Sequence, residues 1–376
     1  MSDVTLTAGI RQNLLSLQQT SADLTTTQEA LATGKAVNSA ADNPSAYFTS
    51  QNLTNTANSL SALLDQIGQG QQTINAATNG LTGITSLLQQ ALSTVQQAQQ
   101  ASQTAGSTTG NVDLATSGAP SAAAGNLVIT SGSSSYTIAI TSGEALSAIE
   151  SAINSGTSGA VTATDSGASG FLVLSGDDFT VQANAATFAL GVTTSATANN
   201  SVYGSSTTRA TLQSNYNGLL AQINQLAGDA SYNGVNLLAG ANLQIDFNPT
   251  GTSSLTIDGV NFDASGLGLS TVSGTVAGSF QDNSALATAV TDINSAISTV
   301  QTQTETFGTN SGVIGTRQSF TTNMINTLQT GASNLVAADQ NQESADLLTE
   351  QTQQQLEISA LSIANQANQS VLKLFG

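Results

Sequence analysis

The feature that most limits the folds open to this chain is a seven-residue repeat of apolar side chains. Leu60, Ile67, Ile74, Leu81, Leu88 and Val95 recur without a break, beside a mixed column of Ala57, Leu64, Gln71, Thr78, Thr85 and Leu92. The C-terminal third repeats the device. Leu286, Ile293, Val300, Phe307 and Ile314 fall seven apart, Thr321 interrupts, and Leu328 and Leu335 resume; Val290, Ile297 and Ile325 supply part of a second column. Sustained 3–4 spacing specifies a long helix with a coiled-coil seam. A helix from near Pro44 to Ala105 would be a rod of roughly 90 Å at about 1.5 Å per residue. Two such segments, far apart in sequence and each with a narrow stripe, predict antiparallel packing of one on the other. A homo-oligomeric coiled coil is the plain alternative. Gln and Thr in the mixed column weaken a two-stranded zipper, so more helices must complete the core.

A third helix is predicted from Leu212, Tyr216, Leu219, Ile223 and Leu226, stopped by Gly228-Asp229 and Tyr232-Asn233-Gly234. Leu243, Ile245 and Phe247 then alternate, Asn248-Pro249-Thr250-Gly251 turns, and Leu255 and Ile257 alternate again, which predicts a β-hairpin near 232–262.

Composition removes most chemistry. The 376 residues include no Cys, His or Trp, which excludes disulfides, Cys/His zinc sites, Cys nucleophiles and every His-based mechanism. Five Lys+Arg stand against 23 Asp+Glu, a net charge of −18, and five scattered cations cannot track a phosphate backbone. No partner nucleic acid is expected. No stretch of about 18 uninterrupted apolar residues occurs, so no membrane insertion is expected. The first residues lack a basic region followed by an apolar run, so they do not form a Sec-type leader, and export would need another route. At 39% hydrophobic the chain can still bury a sizeable core.

From about 107 to 206 the composition shifts to Gly, Ser, Thr and Ala. Leu127 to Ile129, Tyr136 to Ile140 and Phe171 to Leu174 read as strands, and Glu144 to Ile153 as a short helix, within a β-β-α-β-β block. The block carries Asp113, Glu144, Glu150, Asp165, Asp177 and Asp178 and no base. It reads as an autonomous insert. Its Asp177-Asp178 pair could in principle hold calcium or act as a glycosidase carboxylate pair. No EF-hand spacing surrounds it, and a solvated turn beside Gly176 is the simpler reading. Gly-rich stretches such as 125–135 lack the GxxxxGK[ST] lysine and are turns. Asn52-Leu53-Thr54 is a sequon on paper only, because it opens a helix. No catalytic residue, cofactor or metal ligand is assigned.

Both ends are amphipathic. Leu14, Leu17, Leu24 and Leu31 stripe the first, and Ile358, Leu361, Val371, Leu372, Leu374 and Phe375 stripe the last. Neither stripe has an evident partner in a stable monomer core, so intermolecular packing is the economical account. These ten residues are the expected polymerisation interface. Leu60, Ile67, Ile74, Leu81, Leu88, Val95, Leu286, Ile293, Val300, Phe307, Ile314, Leu328 and Leu335 are the expected core seam.

Four motifs, in order, resemble bacterial flagellin. Leu31-Ala-Thr-Gly-Lys-Ala-Val-Asn-Ser-Ala-Ala-Asp-Asn-Pro44 resembles the signature closing its first terminal helix. Thr73-Ile-Asn-Ala-Ala-Thr-Asn-Gly-Leu-Thr-Gly-Ile84 resembles the long axial helix, and Ser231-Tyr-Asn-Gly-Val-Asn-Leu-Leu-Ala-Gly240 the turn into the family hairpin. Residues 351–375 resemble the Gln-rich tail. The resemblance covers about two thirds of the chain. It implies a mainly α fold: a long antiparallel coiled-coil helix bundle formed by the N- and C-terminal regions, with a β-hairpin and a small inserted α+β domain. Residues 1–43 and 338–376 would form a filament core (D0-like). Residues 44–106 and 207–337 would form the rod (D1-like), and 107–206 a variable surface insert similar to hook-type motifs.

The implied protein is a non-enzymatic subunit, exported unfolded by the flagellar type III apparatus and assembled outside the cell into a helical filament for motility. Its implied partners are other copies of itself, the export apparatus and its chaperone, and the filament cap and hook-associated proteins. A secreted adhesin or hydrolase acting through the insert is the competing class. Asp42-Asn43-Pro44 is similar to hook–filament junction relatives and to alphaproteobacterial-type flagellins; Leu63 to Ile74 and Tyr232 to Leu238 favour the latter. No Lys or Arg lies between Lys35 and Arg209, so the arginines that the family presents to the animal Toll-like receptor near Leu88 to Gln97 are missing.

Overall fold

A computed structural model describes residues 8–119, 123–167, 169–193, 199–274 and 277–375. It is mainly helical and forms two compact units, 1–68 with 245–255 and 314–376, and 69–244 with 256–313. Each is described by itself.

In the first unit, α1 (Ala8–Thr33) stops at Gly34, whose φ of +69° is a left-handed geometry suited to glycine. The chain then crosses to the segment before the last helix, where the amide of Ala36 donates to the Val336 carbonyl at 2.8 Å. The Asp42 carboxylate accepts the amides of Asn38 and Ser39 at 2.9 and 2.8 Å. These two bonds, the Ser39 amide foremost, hold its pKa below the ordinary aspartate value. Asn43 accepts the Ala46 amide at 3.1 Å and Pro44 occupies the first helical position, a favourable start for α2 (Pro44–Gln100). The helix ends at Gln100, five residues before the expected end. The start of α2 runs antiparallel to the end of α7 (Asn283–Val336), with the Ser50 hydroxyl donating to the Ala332 carbonyl at 2.9 Å. Asp339 caps α8 (Gln340–Phe375) by accepting the amide of Asn341 at 3.0 Å. Arg317 stacks over Phe247, 5.2 Å from the ring centroid.

Within the second unit, Ile74, Leu81, Leu88 and Val95 are fully buried, as are Leu286, Ile293, Val300 and Phe307. The second buried column of α2 is Ala77, Ile84, Ala91 and Ala98, whereas Thr78, Thr85 and Leu92 of the expected mixed column are half-buried. A helix covered from more than one side buries a wider face than a two-column seam. The extra cover is α6 (Thr207–Asp229), which contributes Tyr216, Leu220 and Ile223, and the segment carrying Leu237, Leu238 and Phe280. Gly80 lets this segment approach closely; a Cβ there would stand 2.7 Å from that of Ala230. The expected hairpin is present as β8 (Leu243–Asp246) and β9 (Ser254–Ile257).

The segment expected as an insert opens with β1 (Gly106–Thr109) and a single-turn α3 (Leu114–Ser117). There follow β2 (Gly125–Ser131), β3 (Ser134–Ile140), α4 (Leu146–Gly156), β4 (Val161–Asp165), β5 (Leu172–Gly176), β6 (Asp178–Val181), α5 (Ala185–Ala189) and β7 (Asn200–Tyr203). Two antiparallel sheets, β1-β5-β4 and β3-β2-β6-β7, enclose Leu127, Ile129, Ile149, Ile153, Val161, Leu172, Leu174 and Val181 without exposure. Its two ends meet: Thr104 and Ser205 exchange backbone hydrogen bonds of 2.7 and 2.9 Å.

Candidate assembly surface

The pair α1–α8 carries the expected functional stripes and lies wholly in the first unit. It is antiparallel, because Thr20 and Ser16 of α1 meet Glu357 while Thr27 meets Glu350. The inner face of α8 is Glu343, Leu347, Glu350, Gln354, Glu357, Leu361 and Ala364, all half-buried at 3–4 spacing. Facing it on α1 are Leu17, Leu24 and Leu31, half-buried, with Thr20, Thr27 and Ala30 buried.

Four of the ten expected interface residues, Leu17, Leu24, Leu31 and Leu361, therefore line the seam between the chain's own terminal helices. Leu14 is 40% and Ile358 53% exposed. Val371, Leu372, Leu374 and Phe375 lie on the α8 backbone, but their side chains fall outside the described residues.

The outer face of α8 carries the large unpartnered side chains: Leu348, Leu356 and Ile363 are 68%, 65% and 67% exposed. At about 100° per residue they fall opposite the glutamates of the inner face. Leu15 of α1 is also exposed. Sequence reasoning missed these four. The signal was available in the spacing of 348, 356 and 363, but the stripe read from Ile358 onward passes over the first two and joins exposed Ile358 to half-buried Leu361.

Of the thirteen expected seam residues, Ile67 and Ile314 are fully buried in the first unit, and the eight buried in the second unit are named above. Leu60 and Leu328 are half-buried. Leu335 is exposed, and the buried column runs instead through Thr321, Ile325, Ala332 and Val336. A straight α-helix drifts about 20° per heptad from a strict seven-residue repeat. Over the seven heptads from Leu286 the drift approaches 140°, which turns position 335 outward and brings 336 in.

Asp178 accepts the amides of Gly204 and Asn283 at 3.2 and 3.1 Å, and burial raises its pKa against those bonds and the nearby Arg209 charge. Buried Arg209 donates to Ala101, Phe280 and Asn283 at 3.1, 3.4 and 2.9 Å. These contacts tie the root of the insert in place. Glu150, raised by burial and then by Asp165, opens on a cleft of about 440 Å³ lined by Leu114, Gly143 and Leu146. Among the described residues no group of three carboxylates could hold a metal ion, and no helix is long and apolar enough to cross a membrane.

The bacterial flagellin N-terminal helical region matches residues 8–117, and the bacterial flagellin C-terminal helical region matches 290–375, together just over half of the chain. Flagellin FljK of Caulobacter vibrioides is 36% identical over 166 residues, 44% of this chain and 59% of that protein. A flagellin of Brucella melitensis is 32% identical over 184 residues, 46% of this chain and 65% of the relative. Flagellin C of Rhizobium meliloti is 39% identical over 83 residues, 22% of this chain and 26% of its own length. The chain thus spans less than two thirds of these relatives.

Proposed function

We infer that this chain, which belongs to the bacterial flagellin family through both of its helical terminal regions, is a structural subunit that polymerises into the flagellar filament. The observation that carries the reading is the outer face of α8. Leu348, Leu356 and Ile363 remain about two-thirds exposed after α1 and α8 have paired, so the pair presents apolar surface that other copies can cover. Contacts of this head-to-tail or lateral kind, repeated without closure, generate an open helical polymer. Leu14, Leu15 and Ile358, with Val371, Leu372, Leu374 and Phe375, complete the proposed contact set, while Leu17, Leu24, Leu31 and Leu361 hold the two helices together.

The role is non-enzymatic and extracellular. The subunit passes unfolded through the flagellar export apparatus with its chaperone and meets the cap and hook-associated proteins on assembly. In this reading the terminal helices form the filament core, the long helices form the rod, and the insert faces outward. Electron microscopy of the purified chain, incubated near neutral pH with short filament seeds, tests it. Helical filaments are expected. A folded protein that stays dispersed at every concentration refutes the assignment.

A further inference from the structure

Among the described residues, three buried carboxylate oxygens lack a partner, and two of them are Oε2 of Glu350 and Oε2 of Glu357. Buried polar atoms are ordinarily satisfied, so orphans one heptad apart on the inner face of α8 require a reason. The other oxygen of each is engaged. Glu357 Oε1 accepts from the Thr20 hydroxyl at 3.1 Å and the Ser16 hydroxyl at 2.7 Å, and Glu350 Oε1 accepts from Thr27 at 3.2 Å. Thr20 and Thr27 are also one heptad apart and buried. Two hydroxyl–carboxylate rungs therefore cross the seam at matched spacing.

The rungs oppose the hydrophobic preference of α8. Its more apolar side is the outer one, with Leu348, Leu356 and Ile363, and simple burial would turn that side toward α1. The observed rotation leaves it outside and places glutamates within. Polar residues in a helical seam commonly set geometry at some cost in stability. We propose that Glu350 and Glu357, with Thr20 and Thr27, are positioning residues that fix the rotation of α8 so that its apolar face stays outward for a second copy of the chain. Losing the three hydroxyl donors, Ser16, Thr20 and Thr27, would leave both carboxylates unmet and release the helix to rotate. The proposal rests on the assembly reading for its purpose, but its test reads the helix rotation itself.

The chain has no cysteine, so introduced pairs report rotation directly. Leu24→Cys with Gln354→Cys lies between the rungs on the inner faces; Leu24→Cys with Leu356→Cys samples the opposite side. In the otherwise unaltered chain the first pair should cross-link at least about tenfold faster, the ratio set by roughly one lost hydrogen-bonded rung. In Ser16→Ala/Thr20→Val/Thr27→Val, which removes all three hydroxyl donors, the ratio should fall to near parity or invert. Glu350→Gln/Glu357→Gln keeps an acceptor oxygen for each hydroxyl and should preserve the preference. Retention of the full preference in the variant lacking all three hydroxyls overturns the proposal, as do equal rates in the chain with its rungs intact. A chain that shows the preference yet never forms filaments would refute the assembly reading and leave this one standing.

Discussion

Truncating the outer face of α8 tests the assembly reading most directly. Complete burial of a Leu or Ile side chain is worth about 1.5–3 kcal/mol. Leu348, Leu356 and Ile363 are 68%, 65% and 67% exposed in the single chain, so about two thirds of that gain, ~1–2 kcal/mol each, remains for assembly. The three together represent about 3–6 kcal/mol per subunit, before ordering costs that the variant and the parent share. Leu348→Ala/Leu356→Ala/Ile363→Ala forfeits most of this while keeping strong helix formers at exposed positions. The critical concentration for polymerisation, measured by sedimentation, should rise at least about 100-fold, the factor matching ~3 kcal/mol. Helical content of the supernatant should stay unchanged, because none of the three packs on α1. A critical concentration within about threefold of the parent would refute the reasoning, since the outer face would then not be the contact surface.

Other outcomes follow from particular contacts. Gly68→Ala, with nothing within 4 Å of the added Cβ, should stabilise by about 0.5–1 kcal/mol in thermal denaturation. Gly80→Ala should cancel that gain and lose about 1 kcal/mol or more, because its Cβ meets Ala230 at 2.7 Å. The folded pKa of Asp42 lies below its ordinary value, so its contribution is present above about pH 4 and is lost as the pH falls through the lowered value. Protection of the Asn38 and Ser39 amides from hydrogen exchange, relative to the intrinsic rate at each pH, should fall in that acid range, and in Asp42→Ala it should already be lost at neutral pH. Replacing 106–204 by a two-glycine linker should preserve polymerisation and thin the filament in electron micrographs, since Thr104 and Ser205 already adjoin; a folded deletion that never polymerises would contradict it. Finally, Leu87 to Ala98 carries no guanidinium, so reporter cells bearing the animal Toll-like flagellin receptor should respond weakly.

Much of this architecture was legible because the heptad repeat is a direct record of burial. Ile67, Ile74, Leu81, Leu88 and Val95 are spaced by it and all are fully buried. Long runs dilute local errors, and both long helices, the hairpin and α6 emerged from spacing alone. The record fails where geometry is cumulative or shared. Leu335 was misplaced by angular drift that no single heptad reveals. The second column of α2 was misplaced because Ala91 and Ala98 carry too little apolar signal to outweigh Leu92. The short strands β1, β6 and β7 were missed because Gly106–Thr109, Asp178–Val181 and Asn200–Tyr203 are held by pairing with distant partners. In the terminal pair the sequence shows which residues are apolar, but not that Thr20 and Thr27 would draw glutamates inward.

The distribution of charge bears on how copies of so acidic a chain can lie side by side. A net charge of −18 sets every copy against its neighbours, and repulsion between surface charges persists over about 8–10 Å at ordinary salt. Yet Asp65 is the one charged residue in the 57 of α2, and α7 carries just Asp292, Glu305 and Arg317 in 54. The outer positions 348, 356 and 363 of α8 are apolar, while Glu350 and Glu357 are turned toward α1. Acidic side chains concentrate instead in the insert, the loops and the inner face of α8. An isolated soluble helix normally keeps its outward face charged, because water favours charge there at little cost. Long helices covered with Gln, Asn, Ser and Thr hydrate well enough for the unassembled chain and impose little repulsion when another copy approaches. In the proposed filament that division, neutral along the long helices and acidic elsewhere, would give a strongly anionic protein faces on which to stack against itself.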